Sequence, residues 1–179
     1  MPAPALSVPL KDVMQFFERQ FVRLNTLLTK SALLFIAVIA VESCAISAVT
    51  YWSINYFFST SGPETFSDWS PRLLFVAAVL FAPILETLVF QSLVFWAVKK
   101  TRIQGCYFWL AMTTPFALAH SQFSIARAVA AGVVGGLYLG VCYVLARRRY
   151  SFVYAFVITA SAHSLRNIIV VVMNHIFSN

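Results

Sequence analysis

The chain has 179 residues, of which 60% are hydrophobic and 11% charged, with a mean hydropathy of +0.81. A soluble domain is close to half apolar and a quarter charged, so this composition excludes an ordinary water-soluble globule and calls for a lipid bilayer as solvent. The net charge of +7 would point to nucleic acid in a soluble protein, but here the basic residues sit at the ends of apolar runs, where they act as a topology signal and imply no nucleic-acid partner.

The N-terminal MPAPALSVPL lacks the basic start and apolar core of a cleavable signal, so the first true span is expected to direct insertion. Residues 10–28 form an amphipathic stretch. Leu10, Val13, Met14, Phe17, Phe21, Leu24 and Leu28 recur at three- and four-residue spacing, with Lys11, Gln15, Arg19, Arg23 and Thr26 largely elsewhere on the wheel. Two readings stand: a helix lying flat in the headgroup region, or a cytoplasmic lead-in to the first span.

Five spans are expected, at about residues 31–57, 71–98, 103–120, 126–146 and 151–177. A polar loop over 59–70 carries Gly62, Pro63, Glu64 and Asp68, and a short SQFSIAR link joins the third and fourth spans. The expected organisation is an N-terminal amphipathic segment, 1–30, followed by one membrane-embedded domain, 31–179. The fold class is all-α, a polytopic helix bundle. With five spans, the basic N-terminal segment, the Lys99–Arg102 loop and the Arg147–Arg149 loop fall on one face. The positive-inside rule then gives a multi-pass plasma (inner) membrane protein with a cytoplasmic N-terminus and an outside C-terminus. In the fourth span, Ala128, Gly132, Gly136 and Gly140 stand at four-residue steps, a pattern expected to form a close helix–helix seam.

Ionisable groups in mid-membrane are costly, so each is a functional candidate. Glu86 lies 14 residues from Arg72 and 13 from Lys99, about 20 Å of helix from either end. A carboxylate at that depth, beside a histidine, suits a general base. His120 ends the run PFALAH, and His163 and Asn167 share a helical face in SAHSLRN. Together they form a credible hydrolytic set: Glu86 takes a proton from water that His120 holds, while His163 and Asn167 donate to a tetrahedral oxyanion. The competing reading is polar residues gluing helices together. Glu42, 12 residues past Lys30, reads as a structural acid paired with Arg166 or a histidine, and Arg166 as a residue orienting Glu42 or Glu86. Pro83 and Pro115 each remove a backbone hydrogen bond and are expected to kink their helices. Glu86, His120 and His163 could also hold zinc with a water, but no helix-borne His-x-x-x-His pair demands it, and the three cysteines have no metal-type spacing. A metal-free, cofactor-free site is favoured.

Three segments, in order, are Glu86-Thr87-Leu-Val-Phe-Gln91, Phe116-Ala-Leu-Ala-His120 and His163-Ser-Leu-Arg-Asn167. Over about residues 71–175 the chain resembles the CAAX protease and bacteriocin-processing (Abi) family of membrane proteases. That family carries Glu-Glu-x-x-x-Arg, Phe-x-x-x-His and His-x-x-x-Asn motifs on separate spans. The resemblance implies a glutamic-type intramembrane endopeptidase acting on a peptide or membrane-protein substrate, with Glu86 and His120 activating water and His163 and Asn167 stabilising the oxyanion. Thr87 and Gln91 depart from the family's second Glu and its Arg. Both charges are absent together, which leaves Thr87 and Gln91 able to share a neutral hydrogen bond. The departure puts a prenylated substrate in doubt. Two other functions stay open: a non-catalytic immunity or scaffold protein of the same fold, and a small proton-coupled transporter subunit, although no internal repeat of the transporter kind is visible.

Overall fold

The computed structural model describes the backbone of residues 10–58, 70–122 and 124–178, and throughout these residues the chain is helical with no strand. Six helices follow in order: α1 (Leu10–Lys30), α2 (Ala32–Phe58), α3 (Arg72–Thr101), α4 (Cys106–Ser121), α5 (Ile125–Arg149) and α6 (Phe152–Ser178). The all-α bundle expected from the apolar runs is what forms. The polar loop over 59–69 lies outside the described residues.

Four helices, α2, α3, α5 and α6, are long and apolar enough to cross a membrane. The expected fifth span is α4, and at 16 residues it falls short of the others: its helix begins at Cys106, after a link in which Arg102 and Gly105 take positive φ angles of 57° and 64°. Of the five expected spans, four are long helices and the third is a short one. Gly105, at ψ −141°, holds a conformation that a side chain would strain, and so it starts α4 late.

Burial sorts the helices. Over half of the apolar window of α5 is inside the bundle (56%), against 17% for α3, so α5 is the central element and α3 an outer one. Leu85, Leu88 and Val89 of α3, and Leu33, Val41 and Val49 of α2, are exposed, as lipid-facing side chains are. Against α5 the seam expected of its small residues forms. A Cβ on Gly132 would stand 2.6 Å from the Ala117 Cα, and one on Gly136 would meet the Phe116 ring at 3.1 Å. Only glycine lets α4 lie this close. Lipid is as apolar as leucine, so such contacts hold the bundle by packing rather than by hydrophobic expulsion.

The α1 helix folds back. Leu24 and Leu28 are buried in a cluster with Phe35 and Ile39 of α2 and Tyr143 of α5, while Arg19, Arg23 and Thr26 are exposed. The side chains of Leu10, Lys11, Val13, Met14 and Phe17 lie outside those described. Arg23 stands seven residues before the end of α1 and Glu42 ten residues into α2, about 10 and 15 Å along their axes. Their side chains nevertheless form an ion pair, so the two helices meet at an acute angle around Ser31. The expected partner of Glu42, Arg166 or a histidine, is thereby replaced by Arg23. The amphipathic segment reaches back along α2 and supplies the cation first.

Three stretches depart from α-helical pairing. Residues 77–81 and 87–93 of α3, and 128–135 of α5, are π-helical, closed by i→i+5 bonds. Such widened turns occur mostly as single insertions in α-helices and concentrate at functional sites.

Candidate functional site

Two of the π turns bracket Glu86. In the first, the Ala82 N–H donates to the Ala77 carbonyl, five residues back. The next donor in that register would be Pro83, which has no N–H. The Ala78 carbonyl is thus left without its helical partner, and Asn167 of α6 supplies one: its Nδ2 donates to the Ala78 oxygen at 2.7 Å. Pro83 thereby opens the acceptor on which α6 docks.

That docking aligns the neighbouring turn of α6 with Glu86. His163 Nε2 approaches Glu86 Oε2 to 3.6 Å, a charge-range contact longer than an N–H···O hydrogen bond. His163 is almost fully buried, whereas the Glu86 side chain keeps 26% of its exposure. The carboxylate therefore keeps an open side, and the imidazole backs it.

From α4, Phe116 touches both imidazoles. Its ring centroid lies 4.5 Å from that of His120 and 5.8 Å from that of His163. His120 Nδ1 stands 2.9 Å from the Phe116 carbonyl, which places the ring proton on Nδ1 and makes Nε2 the acceptor nitrogen of the neutral imidazole. Residues 86, 120, 163 and 167 thus come from three helices to one region, with Phe116 fully buried between α3, α4 and α6 as its packing centre. Among the described residues, no three His, Cys, Asp or Glu side chains are gathered closely enough to hold a metal ion. Glu86, His120 and His163 share a region without forming a three-ligand cluster.

Arg166 is buried in the same layer and forms no ion pair with any described acid. Its Nη2 donates to Ser47 Oγ at 3.2 Å, Ser47 donates on to the Ala130 carbonyl at 2.6 Å, and the Cys44 thiol donates to the Arg166 carbonyl at 3.4 Å. Gly135 makes room for the guanidinium, since a Cβ there would stand 3.1 Å from Nη2. Arg166 is close enough to Glu86 for their charges to interact, and Glu42 is held elsewhere.

The neutral bond expected between Thr87 and Gln91 is not made. Thr87 Oγ1 and both polar atoms of the Gln91 amide are buried without a protein partner. The π turn sets the two side chains on one buried face, yet neither bonds to the other. Ser47, Ser92 and Ala78 are the polar groups of this layer that the sequence reading passed over. Ser47 carried no signal beyond being a hydroxyl in an apolar run, whereas Pro83 marked Ala78 in advance.

On the outer side, an apolar groove of about 440 Å³ runs between α3 and α6, lined by Ile84, Ala160, Ser164 and Ile168 among others. It flanks the turn that carries His163.

Comparison with protein-family models, with curated proteins and with solved structures finds no match to this chain.

Proposed function

We propose that this chain is a glutamic-type intramembrane endopeptidase, related to the CAAX protease and bacteriocin-processing family by its three motifs, and that it works without a metal. The observation that carries the reading is the approach of His163 to Glu86 across α3 and α6, deep within apolar helices and beside His120. Separate helices bring an acid and two imidazoles to one place at a depth where each is costly, which favours a shared chemical task over independent gluing.

The chemistry is a hydrolysis. Glu86 takes one proton from water as the oxygen attacks the peptide carbonyl, and His120 Nε2 accepts a hydrogen bond from the other water hydrogen. The carbonyl electrons move to oxygen, where N–H donors from His163 and Asn167 stabilise the charge. As the intermediate collapses, the C–N bond breaks and Glu86 returns its proton to the leaving nitrogen. Asn167 has two amide N–H groups; one is given to Ala78, which fixes the side chain, and the other remains for the oxyanion. Substrate is a peptide or membrane-protein segment, and the groove between α3 and α6 supports lateral entry. The basic ends at Lys99–Arg102 and Arg147–Arg149 support a cytoplasmic N-terminus in a plasma membrane.

The test is turnover of a library of fluorogenic membrane-spanning peptides by the purified chain in liposomes. Cleavage by the native chain that disappears with Glu86→Gln supports the reading. Cleavage at an undiminished rate with Glu86→Gln, or activity that chelators remove and zinc restores, overturns it.

A further inference from the structure

Hydroxyls on the helices of this chain generally bond to their own backbone. Thr113 donates to the Trp109 carbonyl, Ser43 to Ala40, Ser121 to Leu118 and Thr101 to Val98, at 2.7–3.1 Å. This is the usual refuge of a helical Ser or Thr in an apolar setting. Thr87 and Ser92 do not take it. Their oxygens, with Oε1 and Nε2 of Gln91, are buried and make no hydrogen bond to any protein group. All four atoms belong to one seven-residue π turn.

The turn also sets their direction. In an α-helix a residue five positions on is rotated by roughly 140°, so Ser92 would point away from Thr87. In a turn closed by i→i+5 bonds, residues four and five positions on flank the first. The π turn therefore gathers Thr87, Gln91 and Ser92 on one face, and all three are buried there. That face meets α4 and α5 where Gly140 carries no side chain. At Gly140 a Cβ would find Gln91 Oε1 as its nearest atom, at 3.5 Å, and then the Met112 Cβ at 3.9 Å. Gln91 follows Glu86 by five residues, so the polar face lies one such turn along the helix from the residue that carries the carboxylate.

We propose that this face is a hydration pocket, in which water bound by Thr87, Gln91 and Ser92 is held beside Glu86. Water is the ligand that fits. The face offers the amide's two donors and its carbonyl, plus two hydroxyls that serve either way, and water can answer donors and acceptors together. A bare cation would enter a low-dielectric site facing the two amide donors, with no carboxylate on the face itself. An apolar occupant would leave every group unanswered. The pocket's second task, supplying the water that Glu86 activates, rests on the proposed hydrolysis; its hydration does not.

Two measurements on the full chain in nanodiscs test the hydration. A structure at about 2 Å should show water within hydrogen-bond distance of at least two of the three side chains. Finding the three bonded to one another, or dry, overturns the proposal. Thermal unfolding of Thr87→Val reads the same question by sign. If the hydroxyl binds water, its loss strands that water and lowers Tm; if the hydroxyl is dry and unpaired, its replacement by methyl raises Tm, and a rise or no change overturns the proposal. Neither readout involves cleavage, so the pocket and the reading of Glu86 as a base fail separately. The supply role is read from turnover: Gln91→Met should slow hydrolysis about tenfold, while Glu86→Gln abolishes turnover and leaves the pocket water in place. An unchanged rate with Gln91→Met overturns the supply role.

Discussion

Two acids lie deep in the apolar helices, and they are held in opposite ways. Glu42 on α2 is claimed by Arg23 in a direct ion pair whose partners are both partly exposed, at 45% and 31%. Glu86 on α3 faces a nearly buried imidazole at 3.6 Å, with a guanidinium in reach but not in contact. The first arrangement neutralises a charge and ties α1 to α2. The second leaves a carboxylate partly exposed, with no hydrogen-bonded cation. Depth in the membrane does not by itself set how an acid is held; its pairing does, and the proposed base is the one whose pairing is incomplete.

The sharpest break of this comparison is to exchange each acid for its amide. Glu86→Gln should remove turnover altogether, because the amide keeps the shape but cannot accept the proton, whereas Glu42→Gln should leave turnover within a few-fold of native. Equal loss from both, measured on the same liposome assay, would put the acids on one footing. Next in size, His163→Ala or Asn167→Ala should cost roughly 10²–10³ in rate, as for other oxyanion donors. Asn167→Ala should in addition lower Tm, because the Ala78 carbonyl loses its donor.

Smaller effects separate the packing beneath the two acids. Gly132→Ala places a methyl 2.6 Å from the backbone of Ala117, so α4 must shift, at about 1–3 kcal/mol of stability. Because α4 carries Phe116 and His120 to Glu86 and not to Glu42, turnover should fall with it while the Arg23–Glu42 coupling persists. Gly140→Ala meets only ordinary contacts and should be the milder change in unfolding experiments. Smallest of all, a double-mutant cycle on Arg23→Gln and Glu42→Gln should return a coupling of about 1 kcal/mol or less, as for other exposed ion pairs.

Much of this was legible in advance. Run length and hydropathy gave the helices, because a membrane forces every backbone group into internal pairing. The glycine steps at 132 and 136 gave the α4–α5 seam, and polar residues inside apolar runs marked Glu86, His120, His163 and Asn167 as candidates. The rest depended on differences that residue type does not encode. Whether a carbonyl pairs with the fourth or fifth N–H is decided by Pro83 and by neighbouring helices, and that choice is what set Thr87, Gln91 and Ser92 on one buried face. The partner of Glu42 depended on α1 folding back at Ser31, which periodicity cannot show. The length of α4 turned on the positive φ at Gly105.

That last feature has a mechanical consequence for the surrounding lipid. A 16-residue helix is about 24 Å long, while a hydrocarbon core is about 30 Å thick. A bilayer meets such a mismatch by thinning, at a fraction of a kcal/mol per ångström. His120 stands in the last turn of this short helix. Were α4 to cross the bilayer, the corner of the bundle that carries His120 would be where the membrane is drawn thinnest, and lipid chain length would become a dial on the environment of His120.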